Sequence, residues 1–231
     1  MKLVSTHKWS AKETFWLGIT ILFVVMLLDG IVYNLLDVYQ GLISSENSIL
    51  VSISFHSIFT ISLLFLLSLC RGNFSFIAKY RLNKPPKVKE LVKFILILTL
   101  YILLGGYFSS FVDEPTQDLF LSDEFILDNL FICCIVLVIL APFAEELFFR
   151  GFLYQGLVDE NKNKYLGHLV ICVLFTALHA STMSYIGLAL IFNSSVFLNY
   201  VRFKSNNLWL TIVLHMYNNF IALGTIYISV F

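Results

Sequence analysis

The sequence predicts an all-α, polytopic membrane helix bundle of about seven transmembrane helices. Of the 231 residues, 58% are hydrophobic and only 13% are charged, and the mean hydropathy is +0.84. A soluble domain has about 25% charged residues, so the composition favours a membrane protein. Apolar segments of about 20 residues, the length of a spanning helix, recur along the chain. The formal net charge is zero, so composition gives no case for a nucleic-acid partner.

Seven apolar segments are the predicted spans. They cover residues 14–36, 49–70, 91–112, 127–157, 166–180, 184–200 and 208–230. The first three spans belong to a predicted N-terminal unit, residues 1–126, and the last four form a predicted core, residues 127–231. Span five is the shortest, and only a polar turn at Ser181 and Thr182 separates it from span six.

Basic residues occur only at alternate loops between these spans. The loop between spans three and four is acidic instead, and the loops after spans one and five hold no basic residue. By the positive-inside rule, the N-terminus is predicted to be cytoplasmic and the C-terminus outside. The residues behind this prediction are Lys2, Lys8, Lys12, Arg71, Lys79, Arg81, Lys84, Lys87, Lys89, Lys93, Lys162, Lys164, Arg202 and Lys204, against Asp113, Glu114, Asp118, Asp123 and Glu124.

The fifteenth basic residue, Arg150, lies inside span four beside two adjacent carboxylates. Each charge at the centre of a membrane helix costs roughly 2.5–3.5 kcal/mol, so an intramembrane charge is a functional-site hypothesis. Glu146 and Arg150 are i, i+4 with the acid first, the favourable order for an ion pair. Glu145 points to a different face and is the freer candidate for general acid–base chemistry. Pro142 predicts a kink here, and a buried helix-packing network is the alternative.

Spans five and seven each add polar residues to this picture. Span five contains His179, and span seven contains His215 and Asn219 on one helix face. Each of these alone is typical of interhelical hydrogen bonding. At about 1.5 Å per residue from the predicted cytoplasmic ends, Glu145, His179, His215 and Asn219 lie about 18, 20, 11 and 17 Å deep. We therefore expect them in one slab near the middle of the membrane.

Other polar residues within the spans are expected to serve packing or the membrane interface. Asn218 is expected to face about 100° away from Asn219. The residues expected to pack, to bond between helices or to lie at the interface are Asp29, His56, His168, Asn193 and Asn199.

Three motifs in this order, Glu145-Glu146-x-x-x-Arg150, Phe175-x-x-x-His179 and His215-x-x-x-Asn219, resemble those of the CAAX prenyl protease and bacteriocin-processing family (CPBP, also called Abi). The resemblance covers about residues 127–231. It implies a membrane-embedded endopeptidase. By motif position, Glu145 would activate water with the help of His179, and His215 and Asn219 would stabilise the oxyanion. Glu146 and Arg150 would brace the site.

A metal is the open alternative for this chemistry. Glu145, His179 and His215 are a candidate zinc-ligand set with an open position. The chain has no HExxH motif and no evident carboxylate to orient each histidine, and an asparagine is a poor zinc ligand. The sequence therefore favours a mechanism without a metal cofactor.

The expected partners are the lipid bilayer and a membrane-associated peptide or protein substrate, with the protein as a multi-pass component of a bacterial cell membrane. One expected substrate is a bacterial peptide, such as a bacteriocin or signalling-peptide precursor, with self-immunity as a related role. The short chain tilts the expectation toward it. The other is a prenylated CAAX tail. The alternatives are a non-catalytic scaffold or immunity protein that binds a peptide or sensor kinase, and a proton-coupled transporter.

Overall fold

The computed structural model describes residues 9–38, 44–70, 76, 80, 82, 84–111 and 121–230, and within them every regular element is a helix. The predicted all-α membrane fold class is confirmed. In chain order the helices are α1 (Ala11–Val38), α2 (Ser45–Cys70), α3 (Val88–Ser109), α4 (Asp123–Asp128), α5 (Leu130–Asp159), α6 (Lys164–Ala177), α7 (Tyr185–Ser205) and α8 (Leu208–Val230).

Six of the described helices, α1, α2, α3, α5, α7 and α8, are long and apolar enough to cross a membrane. The fifth predicted span corresponds to α6, which has only 14 residues. At 1.5 Å per residue it extends about 21 Å, less than the roughly 30 Å of a hydrocarbon core. The seven predicted spans therefore correspond to six helices long enough to span a membrane and one shorter apolar helix, α6.

The predicted fourth span divides into α4 and α5. Ser122 caps α4 by accepting a hydrogen bond from the Phe125 backbone N–H, and Asn129 leaves helical geometry at φ −118° and ψ 27°. The break gives a short helix at the end of the bundle before the long α5.

Several residues used for prediction lie outside the described part of the chain: residue 112, Lys2, Lys8, Arg71, Lys79, Arg81, Asp113, Glu114 and Asp118.

The central helix is α5, which packs against α1, α2, α6 and α8. It alternates between α-helical turns and π-helical turns, the latter at Cys134–Leu140, Leu147–Leu153 and Gln155–Asp159. In these turns a backbone N–H bonds to the carbonyl five residues back, as from Tyr154 to Phe149. Such turns are frequent at functional sites, and the second one contains Arg150.

Several basic segments meet at one end of the bundle. Thr14 near the start of α1 lies against Gly156 of α5. The segment before α3 is bound to the start of α8, because Asn207 donates to the Lys84 carbonyl at 3.2 Å and Trp209 donates to the Leu82 carbonyl at 2.7 Å. This grouping agrees with the charge pattern, and the side of the membrane on which it lies stays a prediction.

One of the basic residues used in the topology prediction is not a loop charge. Arg202 lies in the last turn of α7 and is only 1% exposed. Its Nε donates to the Arg150 carbonyl at 3.0 Å, and its guanidinium lies over the Tyr154 ring. The assignment of Arg202 to a solvated loop was wrong, because the helix continues to Ser205 and buries it.

Candidate active site

Glu146 and Arg150 form an ion pair that is fully enclosed by protein. Arg150 Nη1 donates to Glu146 Oε1 at 2.8 Å, and both side chains are 0% exposed. The predicted i, i+4 pair is therefore present. Arg150 also lies over the Phe175 ring, with Cζ 4.6 Å from its centroid. The pair faces protein rather than lipid, as expected for charges at membrane depth.

His215 stands between the two glutamates. Its Nδ1 lies 3.0 Å from Glu146 Oε1, and its Nε2 lies 3.7 Å from Glu145 Oε2. Because an ionised carboxylate only accepts hydrogen bonds, Nδ1 is the donor to Glu146. This contact fixes the ring orientation and turns Nε2 toward Glu145. The side chain of Glu145 is 28% exposed, whereas that of Glu146 is fully buried.

His179 follows the last turn of α6 and is held by its own helix. Its Nδ1 lies 2.9 Å from the Phe175 carbonyl oxygen. A carbonyl oxygen only accepts, so Nδ1 carries the hydrogen and a neutral ring has its lone pair on Nε2. The Phe175 ring packs against both His179 and His215, with centroid distances of 5.0 and 5.8 Å.

Asn219 is anchored to the first π-helical part of α5. Its Nδ2 donates to the Leu137 carbonyl at 2.9 Å. In the π-helical pattern each N–H bonds to the carbonyl five residues back, as Ala141 does to Val136. By the same pattern the Leu137 carbonyl would accept from the N–H of residue 142. Residue 142 is proline, which has no N–H. Pro142 thus leaves a backbone acceptor for Asn219, and α5 continues through the proline.

A cavity of about 320 Å³ joins the polar residues. Glu145, His179, His215 and Asn219 all line it. The apolar part extends along α8 as far as Ile226, and it is also lined by Leu121, which precedes α4, and by Ile126 of α4. The sequence missed Asn218, which also lines the cavity and donates to Asn219 Oδ1 at 3.5 Å. The remaining lining is mostly apolar: Leu98, Leu121, Ile126, Leu137, Phe175, Met183, Ile191, Phe197, Leu198, Leu214, Ala222 and Leu223, with Ser194.

The candidate zinc ligands Glu145, His179 and His215 lie on α5, just after α6 and on α8, respectively. Within the described ranges no group of three His, Cys, Asp or Glu side chains is arranged to hold a metal ion. The Nδ1 atoms of His179 and His215 bond to the Phe175 carbonyl and to Glu146, which leaves the Nε2 atom of each ring available to a ligand. Glu145, His179 and His215 all line the cavity, so the choice between a metal-dependent and a metal-free mechanism is left to experiment.

Residues 127–221 match the family model described as Type II CAAX prenyl endopeptidase Rce1-like. The match covers less than half of the 231-residue chain and shows a similarity to that family over this segment. It runs from the residues before α5 into α8 and includes all six predicted site residues, so the resemblance seen in the motifs is confirmed. No curated protein and no solved structure matches the chain. The family is one of proteases, which supports peptide-bond hydrolysis in general within a multi-pass membrane protein.

The Rce1-like segment also contains a polar face that the motifs did not reveal. Ser195, Asn199 and Arg202 of α7 are buried and follow the helical spacing i, i+4, i+7. All three bond to Arg150: Ser195 Oγ accepts from Nη2 at 2.7 Å, Asn199 Oδ1 accepts from Nε at 3.3 Å, and Arg202 donates to the carbonyl. The spacing on one helix face was the signal for them.

Polar residues outside the Rce1-like segment form a separate contact. Asp29 of α1 and His56 of α2 bind each other through Oδ2 and Nδ1, and Ser52 Oγ lies 3.5 Å from Asp29 Oδ1. The expected packing role of the two residues thus takes the form of an interhelical pair. Inside the segment, Asn193 was expected to bond between helices, but it donates to the Ala189 carbonyl of its own helix at 2.8 Å.

Proposed function

We propose that the protein is an intramembrane endopeptidase that hydrolyses a peptide bond in a membrane-associated peptide or protein tail. One observation carries the proposal: two adjacent glutamates have different surroundings. Glu146 is enclosed and paired with Arg150, while Glu145 is 28% exposed and lines the cavity. A carboxylate that reaches a cavity, with a histidine rather than an arginine as its near neighbour, is suited to take a proton from water.

In the proposed first step, a water molecule in the cavity attacks the carbonyl carbon of the scissile bond. Glu145 takes one proton from that water as the new C–O bond forms. His179 lines the same cavity, and its Nε2 has the free lone pair, so this atom is placed to accept a hydrogen bond from the water. Glu145 then returns the proton to the leaving nitrogen as the C–N bond breaks.

In the same step, His215 and Asn219 stabilise the oxyanion of the tetrahedral intermediate. Because His215 Nδ1 donates to Glu146, Nε2, which lies 3.7 Å from Glu145 Oε2, donates to the oxyanion when the ring is the imidazolium. Asn219 Nδ2 has two hydrogens, one of which bonds to Leu137. Preorganised donors of this kind contribute about 10²–10³ in rate each. Glu146 and Arg150 hold His215 in place.

Two substrate classes fit the proposal. The family description favours a prenylated CAAX-type tail. A bacterial peptide, such as a bacteriocin or signalling-peptide precursor, is the second class, with immunity as its biological role and a bacterial cell membrane as its location. The apolar lining between α3, α7 and α8 suits a hydrophobic substrate of either class.

Mass spectrometry of membrane-associated peptides tests the proposal. Cells that express the wild-type protein are compared with cells that express Glu145→Gln, a variant of nearly the same shape. We expect uncleaved precursors to accumulate with the variant, and their sequence identifies the substrate. Identical peptide profiles with full biological activity would instead support the non-catalytic scaffold or immunity protein. Proton flux into proteoliposomes would support the transporter.

A further inference from the structure

Asn199 is a buried side chain that bonds to two other helices at once. It is 2% exposed at the centre of α7. Its Oδ1 accepts a hydrogen bond from Arg150 Nε of α5 at 3.3 Å. Its Nδ2 donates to α6, to the His168 carbonyl at 3.2 Å and to Cys172 Sγ at 3.2 Å. Every polar atom of this amide is therefore used between helices, and none lines the cavity.

The α5 side of this link determines the orientation of Arg150. Asn199 and Ser195 receive the Nε and Nη2 hydrogens along one edge of the planar guanidinium. With that edge fixed, Nη1 is directed to Glu146 Oε1, the oxygen that also accepts from His215. Because the guanidinium is rigid, a contact on one edge constrains the opposite edge.

The α6 side of the link fixes a short helix. His179 lies two residues beyond the last residue of α6, Ala177, and 11 residues beyond His168. His168 and Cys172 lie in the interior of the 14-residue helix, so the Asn199 amide bonds to α6 away from both of its ends. Beside His168, Gly167 approaches the Leu157 carbonyl closely, so α6 also packs tightly against the end of α5 at this point.

We propose that Asn199 is a positioning residue that sets the placement of α6, and hence of His179, relative to Glu145 on α5. It acts through Arg150 on one side and through the α6 backbone on the other. The inference rests on the proposed function for its catalytic consequence, whereas the helix placement is independent of that function.

The first test measures helix placement without any substrate. Cys70 and Cys134, the accessible cysteines, are first replaced by alanine. Spin labels are then attached through cysteines introduced at the exposed positions Ile139 of α5 and Val173 of α6, and the distance between the labels reports the placement of α6 against α5. We expect one narrow distance distribution in the reference protein and a broadened or shifted one with Asn199→Leu or Asn199→Asp. An unchanged distribution in both variants overturns the inference, whatever reaction the protein catalyses.

Asn199→Asp separates the two halves of the link. The aspartate keeps an acceptor for Arg150 but replaces the amide donor with an oxygen that faces the His168 carbonyl. If α6 placement is the function of Asn199, this variant is as impaired as Asn199→Leu. The matched control is Asn193→Leu, which changes the same residue type on the same helix at an exposed position bonded only to Ala189.

The second test separates kcat from KM, using fluorogenic CAAX peptides with and without a prenyl group and rates per folded molecule. Because Asn199 does not line the cavity, we expect kcat to fall about 10–100-fold in both Asn199 variants, with KM within about twofold. Asn193→Leu should match the wild type. A retained kcat, or a change confined to KM, contradicts the inference. Cleavage by Glu145→Gln at the wild-type rate would refute the proposed function instead.

Discussion

Arg150 Nη1 donates to Glu146 Oε1 at 2.8 Å, and neither side chain has any exposed surface. Removing one partner of such a pair leaves a buried charge without compensation, which costs about 3–5 kcal/mol. We expect Arg150→Met to lower the free energy of unfolding by about this amount. Denaturant unfolding in detergent micelles, followed by helical circular dichroism, measures it.

The double variant Glu146→Gln/Arg150→Met is the control for this prediction. It removes both charges, so we expect it to be more stable than Arg150→Met alone, since no uncompensated carboxylate remains. If the effects of Glu146→Gln and Arg150→Met on the unfolding free energy add in the double variant, the two side chains do not stabilise each other, which contradicts the prediction.

The close approach of α6 to α5 gives a second prediction. A Cβ at Gly167 would overlap the backbone carbonyl of Leu157, an atom that cannot move aside without shifting a helix. Gly167→Ala should therefore destabilise the protein by about 1–3 kcal/mol. Gly30→Ala on α1 is the matched control, because a Cβ there meets nothing within 4 Å. An equal thermal midpoint for the two variants would show that α6 does not approach α5 this closely.

A third prediction concerns α4, which contributes to the apolar lining of the cavity through Ile126. Glu46 Oε1 of α2 accepts from both the backbone N–H and the hydroxyl of Ser122, at 2.8 and 2.6 Å, immediately before α4. Leu121 and Ile126 on either side line the cavity. Hydrogen bonds to a charged group contribute about 1.5–3 kcal/mol, so Glu46→Ala should raise KM by up to about tenfold with little change in kcat.

The control for α4 is Glu124→Ala, which removes a carboxylate from an exposed position of the same helix. Steady-state cleavage of the fluorogenic peptides gives both constants. A KM that rises equally in the two variants would indicate a general charge effect at this end of the bundle rather than the Glu46–Ser122 contact.

Metal dependence gives a fourth prediction. The proposed hydrolysis uses Glu145 as the base and needs no metal ligand from His179 or His215. We therefore expect cleavage to continue after dialysis against EDTA and in the presence of 1,10-phenanthroline, at rates within about twofold of the untreated enzyme. Loss of activity on chelation, with recovery on adding Zn²⁺ alone, would support the three-ligand alternative.

The sequence predicted those features that depend on one helix at a time. The Glu146–Arg150 pair follows from i, i+4 spacing, and the separate surroundings of Glu145 follow from a 100° rotation. The long apolar segments predicted the bundle, because a chain in hydrocarbon must satisfy its backbone within helices. Even Asn219 was placed on the correct helix face, next to His215.

What the sequence did not predict depends on how helices rotate against one another. Asn218 reaches the cavity although it lies one residue from Asn219, because the cavity spans more than one face of α8. Arg202 was assigned to a loop because the predicted sixth span ended at residue 200, whereas α7 continues to Ser205. The bond from Asn219 to Leu137 requires π-helical turns before Pro142, which periodicity at 3.6 residues does not reveal.

The central claim is that Glu145, and not its neighbour, activates the water. Its most direct test is the cleavage rate of purified Glu145→Gln in proteoliposomes, beside Glu160→Gln, which changes an exposed glutamate after the same helix. We predict that Glu145→Gln folds with a wild-type thermal midpoint and loses at least about 10²-fold in kcat, while Glu160→Gln cleaves normally. A folded Glu145→Gln protein that cleaves at the wild-type rate would contradict the account.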